Sequence, residues 1–319
     1  MASKSVNKVY LGNSYSVATK KELNGIVSSY DQVFNDYYFN KKTFEQAEIY
    51  MQSLVLDSLI TDKTALIIAG DLSSQIAHTN YNMKNYNIPF LGVYNACASF
   101  VESLIIMSSF IMSNVVKEGI VFTSSHSLNS EKQFKYPVEY GAPKKLVSTI
   151  TATGASGCNI TKEINKIKVE SFTIGRVVDS TISDVNNMGA VMAPSCASTI
   201  YTHLKEMKRD IDYYDLVLTG DLGSVGCAIL SKLLKSEYNI MLKKHIDAGN
   251  VLYKKDDDFP YAGASGPACL PLVLFNSVLK NKKYKKILIV GTGSLHNPTL
   301  VNQHLTIPSI AHAVSLEVL

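Results

Sequence analysis

Tryptophan is missing altogether from the 319 residues, and proline (9) and cysteine (5) are sparse. Collagenous and low-complexity classes, which need proline and glycine in bulk, are thereby excluded. The cysteines, Cys97, Cys158, Cys196, Cys227 and Cys269, are odd in number and widely spaced, with no Cys-x-x-Cys. Neither a disulfide framework nor a zinc ribbon is indicated, and a reducing compartment suits the chain. Charge of one sign is also scarce: the formal net charge is +4, and the one dense run is Lys282, Lys283, Lys285 and Lys286. No nucleic-acid footprint follows. That run abuts the apolar stretch Ile287 to Val290 and reads as a solvated helix end before a strand, in preference to a membrane-surface patch. Met1 to Tyr10 is polar and lacks a signal-peptide core, so export is not expected. Phe90 to Val116 is long enough to cross a bilayer, but it carries Asn95 and Glu102 and opens like a strand. It reads as a strand followed by a helix buried on nearly all sides.

Hydrophobic residues make up 46% of the chain, and a chain of this length buries roughly three quarters of its unfolded surface. Short β-branched runs alternate with longer helical patterns, which predicts α/β layering with crossover connections. Strands are expected at 8–11, 65–69, 90–93, 120–123, 149–153, 168–174, 216–219, 287–290 and 310–316. Helices are expected at 43–58, 100–117, 193–208, 225–235 and 267–280. A faint internal repeat runs through this pattern. Ile68-Ala69-Gly70-Asp71-Leu72-Ser73-Ser74 matches Leu218-Thr219-Gly220-Asp221-Leu222-Gly223-Ser224 at an offset of 150, and Ile120 to His126 echoes Ile289 to His296 with one residue inserted. Both matches come in the same order, which predicts two similar α/β halves, 1–163 and 164–319.

The chemistry-bearing segments sit at equivalent turns. In Gly92-Val93-Tyr94-Asn95-Ala96-Cys97-Ala98-Ser99 a cysteine stands where a strand turns into the buried helix, a position whose free amides and helix dipole favour an anion. Its counterpart is Tyr261-Ala262-Gly263-Ala264-Ser265-Gly266-Pro267, with Pro267 suited to the first turn of the following helix. Two helix N-termini meeting in one pocket would receive a compact anionic molecule, or the small residues simply let two helices pack. His126, at a strand end, is a candidate donor or cation, as is His245 beside Asp247. Asp71 and Asp221 are expected to cap turns. His296, His304 and His312 lack metal-ligand spacing, so no metal is assigned. Gly291-x-Gly293 is an incomplete dinucleotide fingerprint, and no Walker or Gly-x-Ser-x-Gly motif occurs, so no cofactor is implied.

Asn95-Ala96-Cys97-Ala98-Ser99 opening a central helix in a duplicated chain resembles the thiolase and ketoacyl-synthase superfamily. The resemblance implies a five-layered αβαβα fold, commonly dimeric. Within that superfamily the chain is similar to the stage V sporulation protein AD family of spore-forming bacteria. The match is carried by Gly70-Asp71-Leu72, Phe90-Leu91-Gly92, Cys97 with Glu102-Ser103-Leu104, Thr123-Ser124-Ser125-His126 and Gln133-Phe134-Lys135-Tyr136-Pro137-x-Glu139-Tyr140-Gly141. It continues through Met188-Gly189-x-x-Met192-Ala193-Pro194, Leu218-Thr219-Gly220-Asp221-Leu222 and Thr306-Ile307-Pro308-x-Ile310-Ala311-His312.

The departures from the enzymes matter as much. Aligned on the thiolase motifs, Pro260 stands where the catalytic histidine should be and Ile289 where the second cysteine should be; the ketoacyl-synthase histidine and asparagine would fall near Gly220 and Gly263. Loss of a proton-transfer group forfeits about a hundred- to ten-thousandfold in rate. Cys97 is therefore expected to be a remnant that lines a pocket. The sporulation family implies a non-catalytic binding protein for dipicolinic acid, with or without calcium, serving uptake into the forespore and release at germination. It also implies membrane-embedded partners of the SpoVA complex, a homodimer, and a place at the periphery of the spore inner membrane. The expected pocket residues are Cys97, Ser125, His126, Gly263 and Ser265, and alanine at His126 is expected to weaken binding. The competing expectations are a condensing or acyl-transferring enzyme using Cys97 with His126 or His245 as base, and a structural scaffold.

Overall fold

The structure, a computed structural model, describes residues 2–134, 144–257, 259 and 261–319. Two features singled out above, the stretch Lys135 to Gly141 and Pro260, lie outside the described residues. The chain first lays down β1 (Ala2–Ser5), β2 (Tyr10–Thr19), β3 (Gln32–Phe34), α1 (Phe44–Leu59), β4 (Ile67–Gly70), α2 (Ala77–Met83) and β5 (Phe90–Gly92). Then come α3 (Ser99–Met112), β6 (Glu118–Ser125), α4 (Ser127–Phe134), β7 (Thr149–Thr151) and β8 (Gly154–Thr161). Next are β9 (Ile167–Ile174), β10 (Val178–Asp179), α5 (Met188–Met207), β11 (Leu216–Thr219), α6 (Gly223–Tyr238), β12 (His245–Asp247) and α7 (Ala248–Leu252). The chain finishes with β13 (Gly263–Ser265), α8 (Cys269–Val273), β14 (Lys286–Ser294), α9 (Pro298–Asn302) and β15 (Pro308–Val318).

The main sheet runs β12-β11-β14-β15-β9-β2-β8-β6-β4-β5. Read inward from either end it repeats: three parallel strands, β5-β4-β6 or β12-β11-β14, followed by an antiparallel pair, β8 and β2 or β15 and β9. The two sets meet where Tyr10 and Leu11 of β2 pair with Lys168 and Ile167 of β9. Helix α3 packs against β4, β6 and β8 on one side and against β9, β14 and β15 on the other, so it lies between the two halves of the sheet. Helices α1 and α2 cover the outer face of one half, and α5 and α6 cover that of the other. The result is the expected mixed α/β arrangement in five layers.

Three separate apolar cores follow from this layering, and the strands alternate between them. Ile67 and Ala69 face the α1 core while Ile68 faces the central one. Leu216 and Leu218 face the centre while Val217 faces the α5 and α6 core. A strand buried on both faces has no polar side to show, which is why these runs read as continuous rather than alternating. Between the sheet halves, the Phe100 ring of α3 meets Phe275 edge-on at 5.8 Å and 89°.

The expected helix over 267–280 is realised as α8 continued by a π-helical turn, Leu274–Val278. The strand β8 is not among the expected strands, because Gly154-Ala155-Ser156-Gly157 carries no β-branched run to announce it. It forms because it fills the slot between β2 and β6, where a side chain does not fit: a Cβ at Gly157 would lie 2.4 Å from Phe122 Cβ. Helix α5 begins at Met188, five residues ahead of its expected start, capped by Asn187 and running through Pro194.

Candidate functional site

A cavity of about 80 Å³ lies where the C-terminal ends of β4, β11 and β14 meet the turn before α3. Cys97 enters from that turn, Asp221 from the loop after β11, Ser265 from β13, and Ser294 and His296 from the end of β14 and just beyond. Thr149 and Thr151 of β7 also line it, and Leu72, Tyr94, Phe134, Met188 and Met192 supply apolar surface. Among the described lining residues there is no lysine or arginine.

The turn that presents Cys97 is tightly built. Ala96 has φ 48°, in the left-handed region that a residue with a Cβ rarely adopts. The Asn95 amide donates to Ser99 Oγ at 2.9 Å, and the Asn95 side chain lies 2.8 Å from His312 Nε2. Opposite, a Cβ at Gly293 would fall 2.6 Å from the Asn95 carbonyl oxygen. The Gly-x-Gly of β14 therefore lets two backbones approach.

Asp221 is the group that sequence reasoning missed. Its carboxyl accepts from Thr292 Oγ1 at 2.8 Å and from the Gly266 amide at 3.1 Å, and it shares the cavity wall with the Cys97 thiol. Burial pushes the Asp221 carboxyl up to about 7. Burial, and then the neighbouring Asp221 carboxyl, push the Cys97 thiol well above its ordinary range. Asp221 thus makes the Cys97 thiol harder to ionise, the reverse of the cationic surroundings that activate a cysteine, while burial is what raises Asp221 itself. Its motif partner Asp71 does cap a turn as expected, which gave no signal that Asp221 would do otherwise.

The five expected site residues are not all brought together. Cys97 and Ser265 line the cavity. Gly263 lies at the start of the same short strand, with φ 145°, and a Cβ there would sit 2.5 Å from the Gly249 carbonyl oxygen. It positions Ser265 without reaching the cavity itself. Ser125 is buried behind the Gly266 turn and donates to the Ala152 carbonyl at 2.8 Å. His126 is fully buried away from the cavity: its Nε2 donates to the Tyr37 carbonyl at 2.8 Å, and its ring stacks on Phe44 at 5.3 Å. Burial lowers its pKa, so it is a neutral packing histidine at neutral pH. His245 is likewise remote, 2.8 Å from Thr219 Oγ1, and burial depresses it to about 4. His296, dismissed above for want of metal spacing, is the imidazole that does line the cavity, 5.5 Å from the Phe134 ring.

The family model for stage V sporulation protein AD (SpoVAD) matches residues 2–317. The chain belongs to the stage V sporulation protein AD family. It is 35% identical to stage V sporulation protein AD of Bacillus subtilis (strain 168), over 97% of this chain and 94% of that one. The SpoVAD family membership gives the chain a role in sporulation. Among solved structures it is similar to 3-oxoacyl-[acyl-carrier-protein] synthase III from Aquifex aeolicus VF5, with TM-score 0.59 and 15% identity over 97% of this chain and 99% of that one. It is also similar to an OleA variant of Xanthomonas campestris, with TM-score 0.63 and 11% identity over 98% and 99%. At these identities the likeness is one of fold, and it places this SpoVAD chain in the thiolase-like architecture. Among the described residues no helix is long and apolar enough to cross a membrane.

Proposed function

We propose that this chain is a non-catalytic binding protein for dipicolinic acid, taken as its calcium chelate, acting in dipicolinate uptake into the forespore and release at germination. One observation carries the reading: the cavity couples Cys97 to a carboxyl group and offers no lysine or arginine among its described lining residues. Condensing chemistry needs a thiolate and a proton shuttle, and Asp221 opposes the first. A bare dianion would meet Asp221 with no fixed cation to offset it, whereas a calcium chelate arrives with its charge already balanced. Hydroxyls of Thr149, Thr151, Ser265 and Ser294 would ring the guest, with Tyr94 and Phe134 for its flat face.

Titration calorimetry with dipicolinate, with and without calcium, tests this. Saturable binding that tightens when calcium is added supports it, and no binding at millimolar ligand rejects it. The same reading takes the chain as a homodimer attached to membrane-embedded SpoVA partners at the periphery of the spore inner membrane. Sedimentation equilibrium, and flotation with and without those partners, test those parts separately. The reading it displaces is an acyl-transferring enzyme, in which Asp221 at about 7 would serve as base. Incubation with acyl-coenzyme A followed by intact-mass measurement decides between them. An adduct present in the native chain and lost in Cys97→Ala would overturn the binding reading.

A further inference from the structure

Behind the wall of the Cys97 cavity lies a second polar cluster that the proposed function does not use. Glu48 on α1, Asp71 after β4 and His78 on α2 are all buried, and one ligand atom from each lies within 4.8 Å of the others. His78 Nδ1 is 3.1 Å from Glu48 Oε2 and 3.6 Å from Asp71 Oδ1, yet it is aligned for a hydrogen bond with neither. Asn129 donates from Nδ2 to Glu48 Oε2 at 2.8 Å, while its Oδ1 has no partner. A void of about 10 Å³, room for one small ion or water, is bounded by Glu48, Ser73, His78 and Asn129. Two buried carboxylates with one imidazolium leave a net negative charge out of water, which is costly. Two carboxylates with a neutral imidazole and a divalent cation sum to zero.

We propose that Glu48, Asp71 and His78 form a binding site for a divalent transition-metal ion of the zinc class. An imidazole nitrogen beside two carboxylate oxygens suits zinc, manganese or cobalt. Calcium, which takes six to eight oxygens, is poorly served here. The ion would tie α1, the turn after β4 and α2 together. Through Leu72 and Ser130, which bound both the void and the larger cavity, it would also hold one cavity wall in place. The site stands whether or not the larger cavity binds dipicolinate.

The test is zinc titration of the full chain by calorimetry, with cobalt substitution read in the visible spectrum. The expected result is one zinc per chain, an affinity kept in Cys97→Ala and lowered at least about tenfold in His78→Gln and in Glu48→Gln. Cobalt should give ligand-field bands without a thiolate charge-transfer band. No saturable binding at millimolar zinc, or an affinity unchanged in both variants, would overturn the proposal. Should either variant fail to fold, the cobalt spectrum of the native chain decides alone, because absent bands or a thiolate band would place no metal at these three residues.

Discussion

The two Gly-Asp-Leu turns, one after β4 and one after β11, begin from nearly the same sequence and end with opposite chemistry. Asp71 holds its own turn. Its Oδ1 takes the Ser73 amide at 2.7 Å, and its Oδ2 takes the amide and hydroxyl of Thr79 at 2.8 and 2.6 Å. Burial alone would raise its pKa, but His78, Ser73 and Thr79 outweigh that and hold it below the ordinary value. Across the repeat, Ser73 is replaced by Gly223, which has φ 62° and no hydroxyl. The turn is instead held from the neighbouring strand by Asp247, whose carboxylate takes the amides of Leu222, Gly223 and Asn250 at 3.0, 2.9 and 2.9 Å. Asp221 is thereby freed to face Cys97. A duplicated motif kept its backbone shape while one copy moved the holding of the turn to another residue, and so gained a group for the cavity.

The largest expected effect tests the structural copy. Asp71→Ala strands the buried amide of Thr79 and the half-buried amide of Ser73 and leaves His78 facing Glu48 alone, and should cost about 3 kcal/mol or more in urea unfolding. Asp221→Asn should cost far less; equal losses in the two variants would erase the distinction drawn between the turns.

The chemical copy is tested by pH. Asp221 titrates at about 7 in the native state and near 4 when unfolded, so between those values the native chain holds a proton that the unfolded chain has released. Native stability therefore falls as pH rises through that window. Asp247, raised by burial to about 6, adds a fall of the same sign. Asp221→Asn should remove the upper part of the decline, and thermal melts from pH 5 to about 8 would show it.

The same substitution should free the thiol. With its carboxyl neighbour neutralised, Cys97 should be alkylated by iodoacetamide at pH 8 several-fold faster, about tenfold for each unit by which the thiol pKa drops. An unchanged rate would mean that burial alone sets its reactivity.

A smaller effect separates cavity residues from those behind it. His126→Ala should lose about 2 kcal/mol of stability, through the packing on Phe44 and the bond to the Tyr37 carbonyl, while dipicolinate affinity stays within about twofold. A tenfold loss of affinity with stability intact would return His126 to the binding site, as the sequence had led one to expect.

Much of the architecture was legible. The β11 bounds are as expected, the buried character of α3 was visible in its unbroken apolar face, and the repeat in the sequence reappears as a repeated strand order. What escaped notice escaped for physical reasons. β8 opens without a strand signal because its glycine at 157 answers the crowding of Phe122. His126 looks functional because a histidine at a strand end near the cavity motif cannot show, in sequence, that Tyr37 and Phe44 enclose it.

Local pattern and composition determined the layers: apolar runs with no polar face must be covered on both sides, and that demand is written residue by residue along the chain. Which side chains share a cavity was decided only by tertiary structure. Cys97 and Asp221, or Glu48, Asp71 and His78, are brought together by strand order and helix packing, and the few ångströms that shift a pKa or hold an ion leave no mark in sequence spacing.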